Sequence, residues 1–261
     1  MSLTGKTKSS TYKDLLQMNN SNSGVDTTTR NVVDGEGTAS VLNLSDDVLK
    51  VTPQTDDTTG VFNVTDISGN TLLNVDSSND LVKAGIGQHI VNTQTKEFFM
   101  SSSSSNPDTA DTWTALQANP CALVADMEMG TGATPATTLT IASTASTTVQ
   151  HLWYVPLNIT IDKCIVWFGA SSANGDVVKF SVMSYAVDSS NGSTSGDLSG
   201  GTEVCVSPST ITGAGREQAY YQSLTISSAD VNAGRMIMAC VSQDGTNSDL
   251  TISMQLMYHL R

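Results

Sequence analysis

Three histidines, His89, His151 and His259, are the only imidazoles in the sequence, and imidazole is the side chain best suited to moving protons near neutral pH. A hydrolase built on a serine or cysteine needs such a base beside its nucleophile. None of the three lies near a Gly-x-Ser-x-Gly turn or another nucleophile motif, so no catalytic residue is expected. Paired carboxylates in a groove can cleave glycosidic bonds, and Asp46-Asp47 and Asp56-Asp57 are such pairs. They stand in turn-like sequence, however, where aspartate is favoured because it hydrogen-bonds its own backbone. The loop 188–197, DSSNGSTSGD, is rich enough in oxygen donors for calcium but lacks the twelve-residue calcium-loop pattern. Neither a P-loop nor a dinucleotide fingerprint occurs. The expectation is a chain with no cofactor and no metal. His89, in Gly87-Gln88-His89-Ile90, is the exception to watch. On a three-fold axis, three copies of it would surround an anion, a water or a metal.

The cysteines, Cys121, Cys164, Cys205 and Cys240, never reach the Cys-x-x-Cys spacing of a metal or redox site. Cys164 and Cys240 sit inside apolar runs, Lys163-Cys164-Ile165-Val166 and Met238-Ala239-Cys240-Val241. Buried, reduced thiols acting as small hydrophobes are expected. The net charge of -13, from 12 basic and 25 acidic residues, is spread over both halves of the chain. Nucleic-acid binding needs a basic face to displace counterions, so that class is excluded, and the acidity is read as solubility. The polar start MSLTGKTKSS has no apolar signal-peptide core, and no run reaches the roughly 18 apolar residues of a membrane span. Synthesis in a cytoplasm, without membrane insertion, is expected.

What remains is recognition and assembly. The loops 170–176, 188–202 and 242–249 are rich in Gly, Ser, Asn and Asp, and loops on a rigid sandwich are common binding elements. Their polar tips, Asn174, Asp176, Asn191, Asp197, Asp244 and Asn247, are candidate receptor contacts. Trp153-Tyr154 and Tyr220-Tyr221 offer rings to sugars or to a core.

Those loops require elements to carry them. Only 38% of the 261 residues are hydrophobic and 14% charged. The balance is Ser, Thr, Asn, Asp and Gly, a mixture that suits strands and tight turns better than helices. One helix is expected over residues 9–18, SSTYKDLLQM, where Tyr12, Leu15 and Leu16 form an apolar stripe. The polar run 19–30 separates it from any core, which makes it a candidate anchor into another protein. Residues 31–100 repeat a phrase, apolar-x-apolar followed by a polar turn: Leu42-Asn43-Leu44, Phe62-Asn63-Val64 and Leu73-Asn74-Val75. Asp47-Val48-Leu49-Lys50-Val51 and Asp80-Leu81-Val82-Lys83-Ala84 match as second halves. The spacing is irregular, so a strict solenoid is not expected. Short hairpins with one apolar face are barely stable alone. Three copies sharing Leu42, Leu44, Phe62, Val64, Leu73, Val75 and Leu81 around an axis would supply the missing core and cover the strand edges.

The Ser-rich run 101–109 reads as a linker. Beyond it lie all three tryptophans and five of six tyrosines, with nine strand-like runs separated by turns. These predict an antiparallel jelly-roll sandwich over 110–261. Val149 to Val155 is one expected strand, and Cys164-Ile165-Val166-Trp167-Phe168 is expected to be buried on both faces. A chain closing on a strand is expected to make that domain the tip or the body, not a stalk leading onward.

The opening stretch resembles the N-terminal segment of fibre and appendage proteins of tailed bacteriophages, particularly marine podophages and myophages. The resemblance rests on Thr11-Tyr12-Lys13-Asp14-Leu15-Leu16-Gln17, on Asp34-Gly35-Glu36-Gly37, and on the phrase at 62–76, and it covers residues 5–85. It implies a virion-attachment segment at 1–30, a trimeric β-rich shaft at 31–100, and a head at 110–261 exposed on the virion surface. The head looks like the jelly-roll heads of trimeric phage fibres. A structural, non-enzymatic virion protein is expected: a homotrimer docked to capsid, tail or adaptor proteins, with the head meeting a host glycan or protein. A capsid decoration, an adaptor without a receptor, a polysaccharide depolymerase, and a cellular β-sandwich lectin unrelated to viruses are the alternatives.

Overall fold

The computed structural model describes residues 15–21, 23–100, 110–119, 127–141, 145–170, 176–209, 211–214, 218–244 and 250–261. The chain is all-β and antiparallel, in two units, Met1–Asn92 and Thr93–Arg261. Among the described residues the only helix is α1, Ala145–His151.

The first unit is built from two four-stranded meanders. One joins β1 (Gln17–Met18), β2 (Arg30–Val33), β3 (Ala39–Leu44) and β4 (Leu49–Val51). The other joins β5 (Phe62–Thr65), β6 (Thr71–Asp76), β7 (Leu81–Ala84) and β8 (His89–Ile90). They are two copies of one design. Cross-strand pairing lines up Asn31, Asn43 and Lys50 in the first, and Asn63, Asn74 and Lys83 in the second. The connecting turns agree bond for bond. Asp34 N–H donates to Thr38 O, Gly37 N–H donates to Asp34 O, and the Asp34 carboxylate accepts from the Glu36 and Thr38 N–H groups. Asp66, Gly69, Ser68 and Asn70 repeat each of these bonds. The turn needs a left-handed residue at its fourth position, where Gly37 and Gly69 have φ of 88° and 83°.

The helix expected at 9–18 does not extend through its C-terminal end. Leu15 and Leu16 are non-helical, and Gln17–Met18 pairs with Val33 and Val32 as a strand. That pairing extends the sheet beside the two best-buried apolar side chains of this unit, a tertiary demand that outweighs a weak helical stripe. Residues 9–14, Tyr12 among them, lie outside the described residues.

The second unit begins eight residues before the Ser-rich run. β9 (Thr93–Met100) pairs along its whole length with Ile252–His259 of β21 (Leu250–Leu260). The run 101–109 therefore connects two strands of one unit, β9 and β10 (Thr112–Ala115), and the boundary expected there belongs at Asn92. The remaining strands are β11 (Glu128–Thr131), β12 (Trp153–Tyr154), β13 (Ile159–Ala170), β14 (Asp176–Val187), β15 (Leu198–Val206), β16 (Ile211–Ala214), β17 (Gln218–Ser223), β18 (Thr225–Ile226), β19 (Asp230–Val231) and β20 (Arg235–Gln243). An eight-stranded sheet has the order β11-β10-β20-β14-β15-β18, with β12 on β20 and β16 on β14. A five-stranded sheet has the order β17-β13-β21-β9, with β19 on β13.

The two sheets close on a common core. From the five-stranded sheet come Phe98, Cys164, Val166, Phe168, Ile252 and Met254; from the other come Val178, Phe180, Val182, Cys205, Ile237 and Val241. Phe168 and Phe180 meet across it with ring centroids 5.1 Å apart. A second cluster, Trp113, Met129, Met183, Tyr185, Leu198, Met238 and Cys240, lies on the other face of the eight-stranded sheet. β20 is thus buried on both faces, and its run Met236 to Val241 is apolar without alternation. The run expected to behave that way, Cys164 to Phe168, alternates instead: Cys164, Val166 and Phe168 point inward and Trp167 is 54% exposed.

The strand expected at 149–155 is split. α1 occupies 145–151 and only Trp153–Tyr154 is strand. Thr148 and His151, three residues apart, are both fully buried, which is a helical spacing. His151 Nδ1 donates to Leu116 O, and the Gln150 carbonyl accepts from Ala118 and Asn119, so the helix is held by the segment after β10.

Candidate functional site

In the first unit the candidate surface is the apolar face of each meander. Paired residues share a face, and neighbours along a strand alternate. The Asn-Asn-Lys row therefore lies on one face, and the opposite face carries Val32, Leu42, Leu44, Leu49 and Val51 in the first meander. In the second it carries Phe62, Val64, Leu73, Val75 and Val82. The first face also holds Arg30, opposite Leu44 and ion-paired with Asp26, where the second has Phe62. Six of the seven expected shaft residues, Leu42, Leu44, Phe62, Val64, Leu73 and Val75, sit on these faces. Leu81 does not. It pairs with Asp76, on the face of Asn74 and Lys83, and Val82 takes the apolar position. A matching Leu in two second-half phrases concealed this one-residue shift, which moves a side chain through the sheet.

Both faces are partly open. Phe62 is 41% exposed, Val64 40% and Leu49 64%. Val32 and Val33 are the only buried apolar side chains among the described residues of this unit. The opposite face is closed by polar contacts. Asp76 is buried and pairs with Lys83 Nζ at 2.9 Å, and it accepts from the Asn79 backbone and side chain. Burial works against its charge, but these donors hold its carboxyl below the usual range. Asn74 donates to Asn63 Oδ1 at 2.6 Å. Leu15 and Leu16, the described members of the candidate anchor, are both exposed. His89 is exposed on the strand beside Ala84.

In the second unit the expected receptor loops are more tightly tied than their composition suggests. β15 starts at Leu198, so the loop after β14 ends at 197. Within it Asp188 accepts from the Thr194 hydroxyl and the Ser190 N–H, which lowers its carboxyl pKa. Asp197 accepts from Ile141 N–H at 2.8 Å, and Asp244 from Val177 N–H at 2.6 Å. Both are joints of the fold rather than free tips. Asn191 is exposed, Asp176 is the first residue of β14, and Asn174 and Asn247 lie outside the described residues.

The paired aromatics divide because alternate residues face opposite ways. Tyr220 stacks on Phe168 at 5.0 Å, while Tyr221 is 50% exposed against Trp167 at 5.1 Å. Trp153 packs on Tyr258, and Tyr154 is exposed. Trp167 pairs with Ser253, which pairs with Phe99. The row Tyr221–Trp167–Ser253–Phe99, aromatic at three of four positions, thus crosses the outer face of the five-stranded sheet, where the sequence pattern places Trp167 in the interior.

Two of the histidines, His151 and His259, have structural partners. His259 Nδ1 lies 2.9 Å from Asp162, nearly buried, and no hydroxyl or thiol of the described residues bonds its other nitrogen. No group of three or more His, Cys, Asp or Glu side chains converges among the described residues, and no helix there is long and apolar enough to cross a membrane. No protein-family model matches the chain, and no match is found among curated proteins.

Proposed function

We propose that the chain is a structural virion protein of a tailed phage, a homotrimeric fibre or appendage. Residues 1–30 attach it, the twin meanders of the first unit form its shaft, and a head of jelly-roll type is displayed for attachment to a host surface. The observation that carries this reading is the partly open apolar face, repeated in the same register in both meanders. A meander with an open apolar face gains about 25 cal/mol for each Å² it removes from water. Copies wound about one axis would cover both faces with the same contact, and would leave no strand edge free. The phage assignment itself comes from the resemblance of residues 5–85. A capsid decoration or an adaptor would share this assembly and differ in where residues 1–30 dock.

No catalytic step is assigned. The buried His259–Asp162 contact lacks a nucleophile, and the turn carboxylates Asp34, Asp66 and Asp188 spend their oxygens on backbone N–H groups. Multi-angle light scattering on the full chain tests the assembly, with three times the chain mass expected. A monomer at micromolar concentration removes the shaft and the fibre together.

A further inference from the structure

A second binding surface lies away from the loops, between β15, β19 and β20. Here a cleft of about 210 Å³ is lined by Ser184, Thr202, Val204, Ser228, Asp230, Val231, Asn232 and Arg235. Val204 and Val231 are buried, so its open surface is mainly polar. Arg235 is fixed in it. Its Nε donates to Ser184 Oγ at 2.8 Å, and its Nη2 to the carbonyls of Ser184 at 2.5 Å and Gly200 at 2.8 Å. Nη1 has no hydrogen-bond partner among the described residues, so a held guanidinium presents one free edge. Asp230 is occupied, by the Thr160 hydroxyl at 2.8 Å and by Arg261 at 3.2 Å, and Asn232 Oδ1 accepts from Arg261. That leaves the Asn232 amide, the Thr202 and Ser228 hydroxyls and Arg235 Nη1 as unspent groups. Arg261, outside the cleft, offsets the Asp230 charge, and Arg235 pairs with no carboxylate among the described residues, on a chain of net charge -13. Beyond about 8 Å the wider charge is screened at physiological salt, so the local balance decides.

We infer that this cleft binds a single carboxylated pyranose, a hexuronate residue of a surface polysaccharide. A hexuronate has hydroxyls for Thr202, Ser228 and Asn232 and a carboxylate for Arg235. Guanidinium and carboxylate form the strongest of such hydrogen bonds. Drug-sized sites run to about 300–1,000 Å³, so this one takes one ring and not a longer chain. The inference rests on the reading of the second unit as an attachment head, where several weak sites act together on a polymer.

Saturation-transfer NMR on the full chain, with methyl glucuronide and methyl glucoside as probes, tests it. Transfer to the glucuronide alone is expected, weakened about five-fold by Asn232→Ala or Thr202→Val, each the loss of one hydrogen bond at an exposed position. Arg235→Gln should abolish it, with a thermal melt run beside it because Arg235 also ties β14 to β15. No transfer, equal transfer to the glucoside, or transfer unchanged in Asn232→Ala and Thr202→Val overturns the inference. Adsorption of labelled protein to bacterial cells separates the two readings. Adsorption that persists unchanged in Thr202→Val removes the cleft and keeps the attachment head, whereas glucuronide binding without adsorption to any cell keeps the cleft and removes the head.

Discussion

Single residues in this chain are spent mainly on holding turns. The carboxyls of Asp34, Asp66 and Asp188 are all held below their usual range by donors in their own loops: first the Thr38 N–H, the Asn70 amide and the Thr194 hydroxyl respectively. A carboxyl whose folded pKa is depressed stabilises the fold above its unfolded value of about 3.9, and that contribution vanishes as pH falls through the folded value. Melting temperature should therefore be flat from pH 7 to about 5 and drop below 4. Asp34→Ala and Asp66→Ala should each flatten that acid limb, as followed by circular dichroism. A limb unchanged in both variants would show that the turns do not carry it. The thiols make a second case. The neighbouring Cys205 and then burial push the Cys164 thiol up, and burial pushes up Cys240. Thiolate is the reactive form, so Cys121→Ser protein should consume no thiol reagent when native and three equivalents when denatured. Gly201 is held to glycine by space: a Cβ there would lie 2.7 Å from the Tyr185 ring and 2.8 Å from Thr137 Cα. Gly201→Ala should cost about 1–3 kcal/mol in urea unfolding, because the backbone of 137 must move.

At the scale of elements, the meanders are the informative pieces. The residues Asn31, Asp34 and Gly37 recur 32 positions on as Asn63, Asp66 and Gly69, but Asn43 recurs after 31 and Lys50 after 33. Those slips made the repeat look irregular in sequence. In the sheet the first slip falls at the register shift where β3 meets β2 and β6 meets β5, the second in the turn after β3 and β6, and each cross-strand row stays intact. The phrase was therefore legible and its strictness was not, because register is a property of paired strands and not of one. If the apolar faces bind sister copies, Leu42→Asp with Leu73→Asp should dissociate the assembly to monomers in analytical ultracentrifugation. The second unit should keep its sheet signal. An assembly that survives both substitutions places the interface elsewhere. The same alternation explains the misreadings in the second unit. Trp167 stands between two core residues, and only its neighbours on β17 and β21 leave its side of the sheet open.

For the molecule as a whole, the units differ in how they are stabilised. Residues 93–261 enclose two apolar clusters, and among the described residues of 1–92 only Val32 and Val33 are buried apolar side chains. A fragment of residues 93–261 should unfold cooperatively at a temperature independent of its concentration. A fragment of residues 15–92 should melt at a temperature that rises with concentration, as assembly-linked folding requires. Concentration-independent melting of the smaller fragment would mean that it needs no partner.

The amino-acid sequence by itself determined the class of this protein: short strands, glycine and aspartate turns, a core confined to the second half, and a first half with too little apolar surface to close. Composition and period are local properties, and they survive any arrangement of the strands. Only the tertiary structure decided which strands are neighbours, and with that the boundary at Asn92, the outward Trp167, the exchange of Leu81 for Val82, and the cleft around Arg235. Each depends on which residue lies opposite another across a sheet, and that pairing joins positions far apart in the chain, such as β9 with β21.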